Sequence, residues 1–302
     1  MSTDLYELLK VYKDKKFVLV EPGGNAGDLL IYKGFHKLIH LAGIDYTTVT
    51  HDEYMKAAYS PDTVVYLHGG GGYIPVWSGT PALALQKSLS QHKGVVINGP
   101  TTIVDDSEYI SKTFLPCFKS NVTSRFVLYT REKTSYFLIK DLLPAFVDLR
   151  VDHDTALNLT KEDVLNKEIK GKYRLFAIRN DKEMPQSLPY DYLNWMDPVL
   201  VTKSFDEWVS IHAHARELFT NRTHSTILGS ILQIPTKMMA NGYHKNRSIW
   251  EYSLKDRGVV WLDELPCGMI NKVIESRGRL KKFFTSSKYR SFRKNLLVNY
   301  SM

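Results

Sequence analysis

The chain has 302 residues, 43% of them apolar and 24% charged, the balance of a soluble globular protein. Its length suits two domains of about 150 residues each better than one doubly wound sheet. The composition argues against three classes: no apolar run approaches the roughly 18–20 residues of a membrane span, MSTDLYELLKVYKDKK lacks the apolar core of a secretory leader, and two distant cysteines, Cys117 and Cys267, make no disulfide framework or metal spacing. A cytoplasmic, reducing setting is the expectation, in which the five Asn-x-Ser/Thr sequons go unread. The formal net charge of +8 is carried by residues 276–302, which hold eight basic residues and no acid, leaving residues 1–275 formally neutral.

In chain order, Phe17–Val20 predicts a strand, followed by a Gly-rich loop at Gly23–Asp28 and a helix from Leu29 to about Leu41 with apolar residues at 3.6 spacing. Thr63–Leu67 predicts a strand ending in a loop at Gly69–Gly72, and Pro81–Leu89 a helix. Val95–Ile97 is a strand ending at Asn98-Gly99-Pro100. Phe126–Tyr129 is another, followed by Thr130-Arg131 and a helix through Lys140. The polar stretch Asn158–Lys172 is the candidate linker, after which the pattern restarts. Strands are expected at Arg174–Ile178, Val199–Val201, Leu218-Phe219, Thr236–Met239 and Val259–Leu262. Helices are expected around Phe205–Arg216, from His224 to about Leu232, and near Glu264–Glu275. Short apolar strands alternating with helices imply parallel sheets buried on both faces, with function gathered at the carboxyl ends of the strands.

Three strand-to-helix junctions carry chemistry. Gly23-Gly24-Asn25-Ala26-Gly27-Asp28 offers backbone N–H groups to an anion at a helix N-terminus, though its spacing is neither a dinucleotide fingerprint nor a Walker A loop. A plain tight turn is the alternative. His68-Gly69-Gly70-Gly71-Gly72-Tyr73 spends four glycines after an apolar strand, a cost that suits bare backbone lying against a ligand. Thr220-Asn221-Arg222-Thr223-His224 places an Arg-x-His pair at a helix N-terminus, where anions are favoured.

The order of Gly-Asn-Ala-Gly-Asp (24–28), Gly-Gly-Gly-Gly (69–72), Thr-Arg-Glu-Lys-Thr-Ser (130–135), Asp-Thr-Ala-Leu (154–157), Ile-Arg-Asn-Asp (178–181) and Asn-Arg-Thr-His (221–224) resembles that of polysaccharide pyruvyl transferases. Gly242-Tyr243-His244-Lys245-Asn246 extends the resemblance, which runs from about Phe17 to about Leu254. One departure is visible, since the usual Arg-Leu-His is Arg222-Thr223-His224 here. The resemblance implies two Rossmann-like domains facing a cleft, as in GT-B-like glycosyltransferases. The boundaries read as 1–160 and 161–275, with 276–302 as a basic aromatic tail. It also implies phosphoenolpyruvate as donor substrate, a saccharide acceptor, a cyclic ketal product and no separate cofactor.

Phosphoenolpyruvate carries a phosphate and a carboxylate, for which the planar Arg fork is suited. Arg131, Arg179 and Arg222 each follow an expected strand, so they are the expected donor contacts together with Asn25, Gly70 and Gly71. Protonation of the donor's methylene carbon calls for a group that titrates near neutrality. His224 is the candidate, as acid, base or phosphate contact. Asp28 is the second catalytic candidate, with a helix cap as its alternative reading. Asp154 has a similar split. Tyr73, His244, Lys245 and Asn246 are expected on the acceptor side, the last three with donor contact as the alternative, and Tyr73, Trp77 and Trp250 are candidate stacking platforms. The Asp152-His153-Asp154 run lacks further ligands at useful spacing, so no metal is expected. The tail interleaves its basic residues with Phe283, Phe284, Tyr289 and Phe292. That suits an anionic inner membrane surface and a lipid-linked acceptor, with a merely solubilising tail as the alternative; the neutral body argues against nucleic acid. Two rival functions remain: a nucleotide-sugar glycosyltransferase on the same fold, and a non-catalytic saccharide- or membrane-binding protein.

Overall fold

The computed structural model of the protein describes residues 3–76, 79–179, 181–183 and 197–263. Trp77, Cys267, the helix expected near Glu264–Glu275 and the basic tail lie outside them.

The first half runs α1 (Asp4–Val11), β1 (Lys16–Glu21), α2 (Ala26–Leu41), β2 (Tyr46–Thr50), α3 (His51–Lys56), β3 (Thr63–Leu67), β4 (Gly70–Tyr73), α4 (Thr80–Gln91), β5 (Val95–Ile103), α5 (Ser107–Tyr109), β6 (Arg125–Thr130), α6 (Lys133–Ile139) and β7 (Val147–Val151). All pairings are parallel, in the order β2-β1-β3-β5-β6-β7, with β4 added beside β5. The side-chain period of two sends Val18 and Val20 to one face, into a core with Val65, Leu67, Leu85 and Phe114. Phe17 and Leu19 point to the other face, where they pack with Tyr66, α1 and the Phe35, Leu38 and Ile39 stripe of α2. Burial on both faces explains the nearly continuous apolar runs read from the sequence.

The second half runs α7 (Lys161–Val164), β8 (Tyr173–Ala177), α8 (Pro198–Val201), α9 (Phe205–Ala213), β9 (Ala215–Thr220), α10 (Thr223–Ile231), β10 (Thr236–Met238), α11 (Lys245–Ile249) and β11 (Val260–Trp261). Its four strands are parallel, in the order β11-β10-β9-β8. The α/β class with parallel, Rossmann-like sheets is therefore present in both halves. Among the described residues no helix is long and apolar enough to cross a membrane.

Several local expectations give way. Val199–Val201 is helix α8, not strand, because Pro198 presets the first turn and Asp197 caps it, accepting from Val199 N at 3.2 Å. Gly70–Tyr73 is strand β4, not loop. Asn98-Gly99-Pro100 does not end β5. The register shifts between Asn98 and Thr101, so a bulge absorbs the proline that has no N–H to give. Before the bulge β5 pairs with β3, and after it with β4. The polar stretch 158–172 is not a free linker. Leu159 and Leu165 are buried in the second half's core, and Asp163 both closes the cap of α7 and pairs with Lys37 of α2. Strands β2 and β7 and helix α1 went unread, the last pinned by Leu5 N donating to Asp152 at 2.7 Å.

Helix α2 joins the halves. Its Phe35 side belongs to the first sheet, while Leu30 is fully buried with Trp208, Ile227 and Leu228 of the second half. At Gly34 it approaches the chain so closely that a Cβ would overlap the Thr155 carbonyl, and Thr155 Oγ1 donates to Ile31 O at 2.9 Å. Leu30→Ala should therefore cost about 2–5 kcal/mol in urea unfolding. The loss should appear in probes of the second half as well as the first.

Candidate active site

The carboxyl ends of β1, β3, β6 and β8 open onto one cavity of about 530 Å³ lined from both halves. On the first-half side stand residues 22–25, Gly27, Asp28, His68, Gly69, Gly71, Gly72 and Arg131. Facing them are Arg179, Asp181, Glu183, Arg222, His224 and Lys245.

The loop after β1 is ordered by a capping box. Asn25 Oδ1 accepts from Gly27 N, and Asp28 Oδ2 accepts from Asn25 N, each at 2.8 Å. The capping alternatives for Asn25 and Asp28 are thus realised, while both residues still line the cavity. Gly27 has no room for a side chain, because a Cβ there would overlap the His224 imidazole. Two helix N-termini, of α2 and α10, consequently meet at this point, and each favours negative charge.

The glycine run after β3 becomes β4. Gly70 needs its bare backbone, at φ 131°, and its carbonyl accepts from Thr101 Oγ1 at 3.0 Å. Gly71 lies over two cations: a Cβ there would stand 3.5 Å from Arg131 Nη2 and 3.8 Å from Lys245 Nζ. Tyr73 is 1% exposed, with its ring edge-on to Phe114 and its hydroxyl donating to Asn98 at 2.8 Å. It borders the cavity and anchors β4 to β5, but its buried ring leaves no open face for a sugar to stack on. Trp250 is likewise packed, against Trp261, with Nε1 donating to Val259 O.

Arg131 follows β6 and is 1% exposed. Its Nε donates to Thr102 Oγ1 and its Nη1 to Asp154 Oδ2, both at 2.8 Å. His224 Nε2 lies 3.4 Å from that Nη1 and 3.6 Å from Asp154 Oδ2. Burial pushes the Asp154 carboxyl up, but His224 and Arg131 together outweigh it and hold the group well below the usual carboxylate range. Asp154 Oδ1 also accepts from Ala156 N at 3.0 Å, so this residue is cap and charge partner at once.

From the second half, Arg179 forks onto Asp181 and Glu183 at 2.8–2.9 Å. Arg222, the N-cap of α10, reaches Asp197 through Nε at 2.6 Å and Asp181 through Nη2 at 3.0 Å. Lys245 is buried, ion-paired to Glu183 and placed over the Tyr243 ring. Burial pushes its ammonium down to about 8, against the pull of the Glu183 charge. Every cation therefore has a carboxylate partner, and no hydrogen bond is drawn from Arg131 Nη2 or Arg222 Nη1 among the described residues.

The expected acceptor residues split. Lys245 lines the cavity. Asn246 is fully buried, and its amide donates to Asn221 O and Met239 O at 2.8 Å while its carbonyl accepts from Thr223 Oγ1 at 2.7 Å. It is a brace under the α10 N-terminus, which corrects the acceptor reading. Thr223 at the departure from Arg-Leu-His makes a bond that leucine lacks the hydroxyl to make. His244 lies behind the cavity between Asp105 and Glu132, at 3.4 and 3.6 Å. Asp181, Glu183 and Asp197 had no role in the sequence reading. Asp181 closes the Ile-Arg-Asn-Asp motif (178–181), while Glu183 and Asp197 had no signal beyond proximity in sequence to Arg179 and to α8.

A family model described as polysaccharide pyruvyl transferase matches residues 25–243. Among solved structures the chain is similar to a functionally uncharacterised protein of Klebsiella pneumoniae subsp. pneumoniae NTUH-K2044. The TM-score is 0.67 at 22% identity, covering 86% of this chain and 97% of that one, a likeness of fold. No curated protein matches. The family match spans most of the chain and contains Arg131, Arg179, Arg222 and His224, so the protein belongs to the polysaccharide pyruvyl transferase family and is a transferase.

Proposed function

We propose that the protein transfers a pyruvyl group from phosphoenolpyruvate to a saccharide acceptor, closing a ketal on two hydroxyls. The observation that carries this is the convergence of Arg131, Arg179, Arg222, Lys245 and His224 on one cavity at two helix N-termini. That set suits a small, highly charged anion: Arg forks for phosphate and carboxylate, and the bare Gly71 backbone for close approach. The cavity's position between two parallel sheets supports a GT-B-like pair of domains, 1–160 and 161–275.

In this reading His224 gives its Nε2 proton to the donor's methylene carbon, which becomes the methyl group. The ionised Asp154 balances the charge on His224 before transfer. An oxocarbenium-like centre forms, and the first sugar hydroxyl adds to it. Phosphate then leaves with C–O cleavage, and the second hydroxyl closes the ketal. Of the two hydroxyl protons, one replaces that on the methyl carbon through His224 and the other departs with phosphate, so protons balance. Asp28, on the cavity wall, is the group that accepts from a sugar hydroxyl. Arg131 and Arg222 hold the leaving phosphate. The charge of the tail, residues 276–302, supports peripheral contact with an anionic membrane and a lipid-linked acceptor.

Phosphoenolpyruvate should raise the melting temperature saturably while nucleotide sugars leave it unchanged. Arg131→Lys keeps the charge but loses the fork, and should weaken donor binding about tenfold or more, about 1.4 kcal/mol. Stabilisation by a nucleotide sugar alone would overturn the reading. His224→Gln should keep the donor's thermal shift while kcat falls by about 10²–10⁴. The Lys245 charge is present below pH 8 or so and lost above it. Donor affinity should accordingly drop as pH rises through about 8, a step absent in Lys245→Met. Stability has the opposite sign. The unfolded chain keeps this proton to about 10.4 and so binds more protons than the fold, and this group's contribution to stability rises across that window.

A further inference from the structure

We infer that Glu21, His36 and His68 form a binding site for one divalent transition-metal ion of the zinc type, separate from the arginine cluster. Strands β1 and β3 are adjacent and in register, Val20 beside Leu67, so Glu21 and His68 emerge together at the carboxyl edge of the sheet. Helix α2 crosses above them and supplies His36. One ligand atom of each residue lies within 4.8 Å of the others. Glu21 Oε1 is 3.1 Å from His36 Nε2 and 3.9 Å from His68 Nε2. Tetrahedral zinc, with bonds of about 2.0–2.1 Å, sets its ligand atoms about 3.4 Å apart, so small ring rotations close the site.

Histidine in a core is usually satisfied by a carbonyl, as His92 is by Thr63 O and His212 by Trp208 O. His68 differs. Its side chain is fully buried, and neither ring nitrogen has a hydrogen-bond partner among the described residues. An orphaned buried polar group carries an uncompensated cost, which ligation at Nε2 would relieve. His36 Nε2, despite its 3.1 Å approach to Glu21, also lacks hydrogen-bond geometry. The rings of Tyr32, Phe35 and Tyr66 surround His68 at 4.5, 5.4 and 5.1 Å.

Two imidazoles and one carboxylate select zinc, cobalt or nickel over magnesium or calcium, which take oxygen ligands. Three protein ligands leave a fourth position, and His68 lines the cavity. An ion here would clamp Glu21, just before the Pro22–Asp28 loop, to His68, just before Gly69–Gly72. It would thus fix the two glycine segments that shape the cavity.

The test uses the full chain, stripped with chelator, dialysed and titrated with Zn²⁺ by calorimetry, with Co²⁺ absorption as the coordination readout. The expected result is one tight equivalent, a raised melting temperature and four- or five-coordinate Co²⁺ bands. His36→Ala and Glu21→Gln should each weaken binding at least tenfold and abolish those bands, whereas His51→Ala should not. Both variants change partly exposed side chains, so folding can be verified independently by the phosphoenolpyruvate thermal shift or by circular dichroism. Absence of a tight equivalent, or unchanged affinity in either variant, would overturn the site whatever the donor proves to be.

Discussion

The fully buried pair of Arg131 and Asp154 is the interaction to which the rest of the site is indexed. Removing two charges from water is costly, and their attraction compensates only when the remaining hydrogen bonds are also made. Here most are: Thr102 Oγ1 accepts from Arg131 Nε, Ala156 N donates to the second Asp154 oxygen, and His224 closes the cluster, while Arg131 Nη2 is left to the cavity side. Each bond draws in another element. Thr102 is delivered by β5 after its bulge, Asp154 by the chain leaving β7, His224 by α10, and Gly27 of α2 packs directly on the imidazole. Such a pair adds little to stability. It defines one arrangement of five elements, since any other leaves a buried charge unpaired.

The same economy extends across the cavity. Asp181 is shared by Arg179 and Arg222, and Glu183 by Arg179 and Lys245. The carboxylates hold the cations rigidly and cancel much of their long-range field. In the proposed reading, selectivity for a compact anion rests on placed N–H donors rather than on a broad positive potential. This agrees with the formal neutrality of residues 1–275.

Helix α2 shows why local reading goes only part of the way. Its span was legible from 3.6 periodicity, but its apolar residues serve two cores, with Leu30 facing one and Phe35 the other. A one-dimensional pattern reports that a residue is apolar, not which layer it enters. Val199–Val201 failed for a related reason: three apolar residues are too few to separate strand from helix, and Pro198 with Asp197 decided it. Gly70–Tyr73 has no strand propensity of its own and is extended because β5 offers it a free edge past the bulge.

What the sequence determined by itself was the alternation of buried strands and helices, the placement of Arg131, Arg179, Arg222 and His224 at junctions, and the family. These follow from period, local capping chemistry and motif order, all of which are properties of neighbours along the chain. Tertiary structure alone decided that Tyr73 and Asn246 are spent on the framework and that Lys245 is buried against Glu183. It alone brought Glu21, His36 and His68 together across 15 and 32 residues of separation. Burial, pairing and the shift of an ionisable group depend on which distant side chains share a desolvated volume, and that is set only when the two sheets and α2 pack.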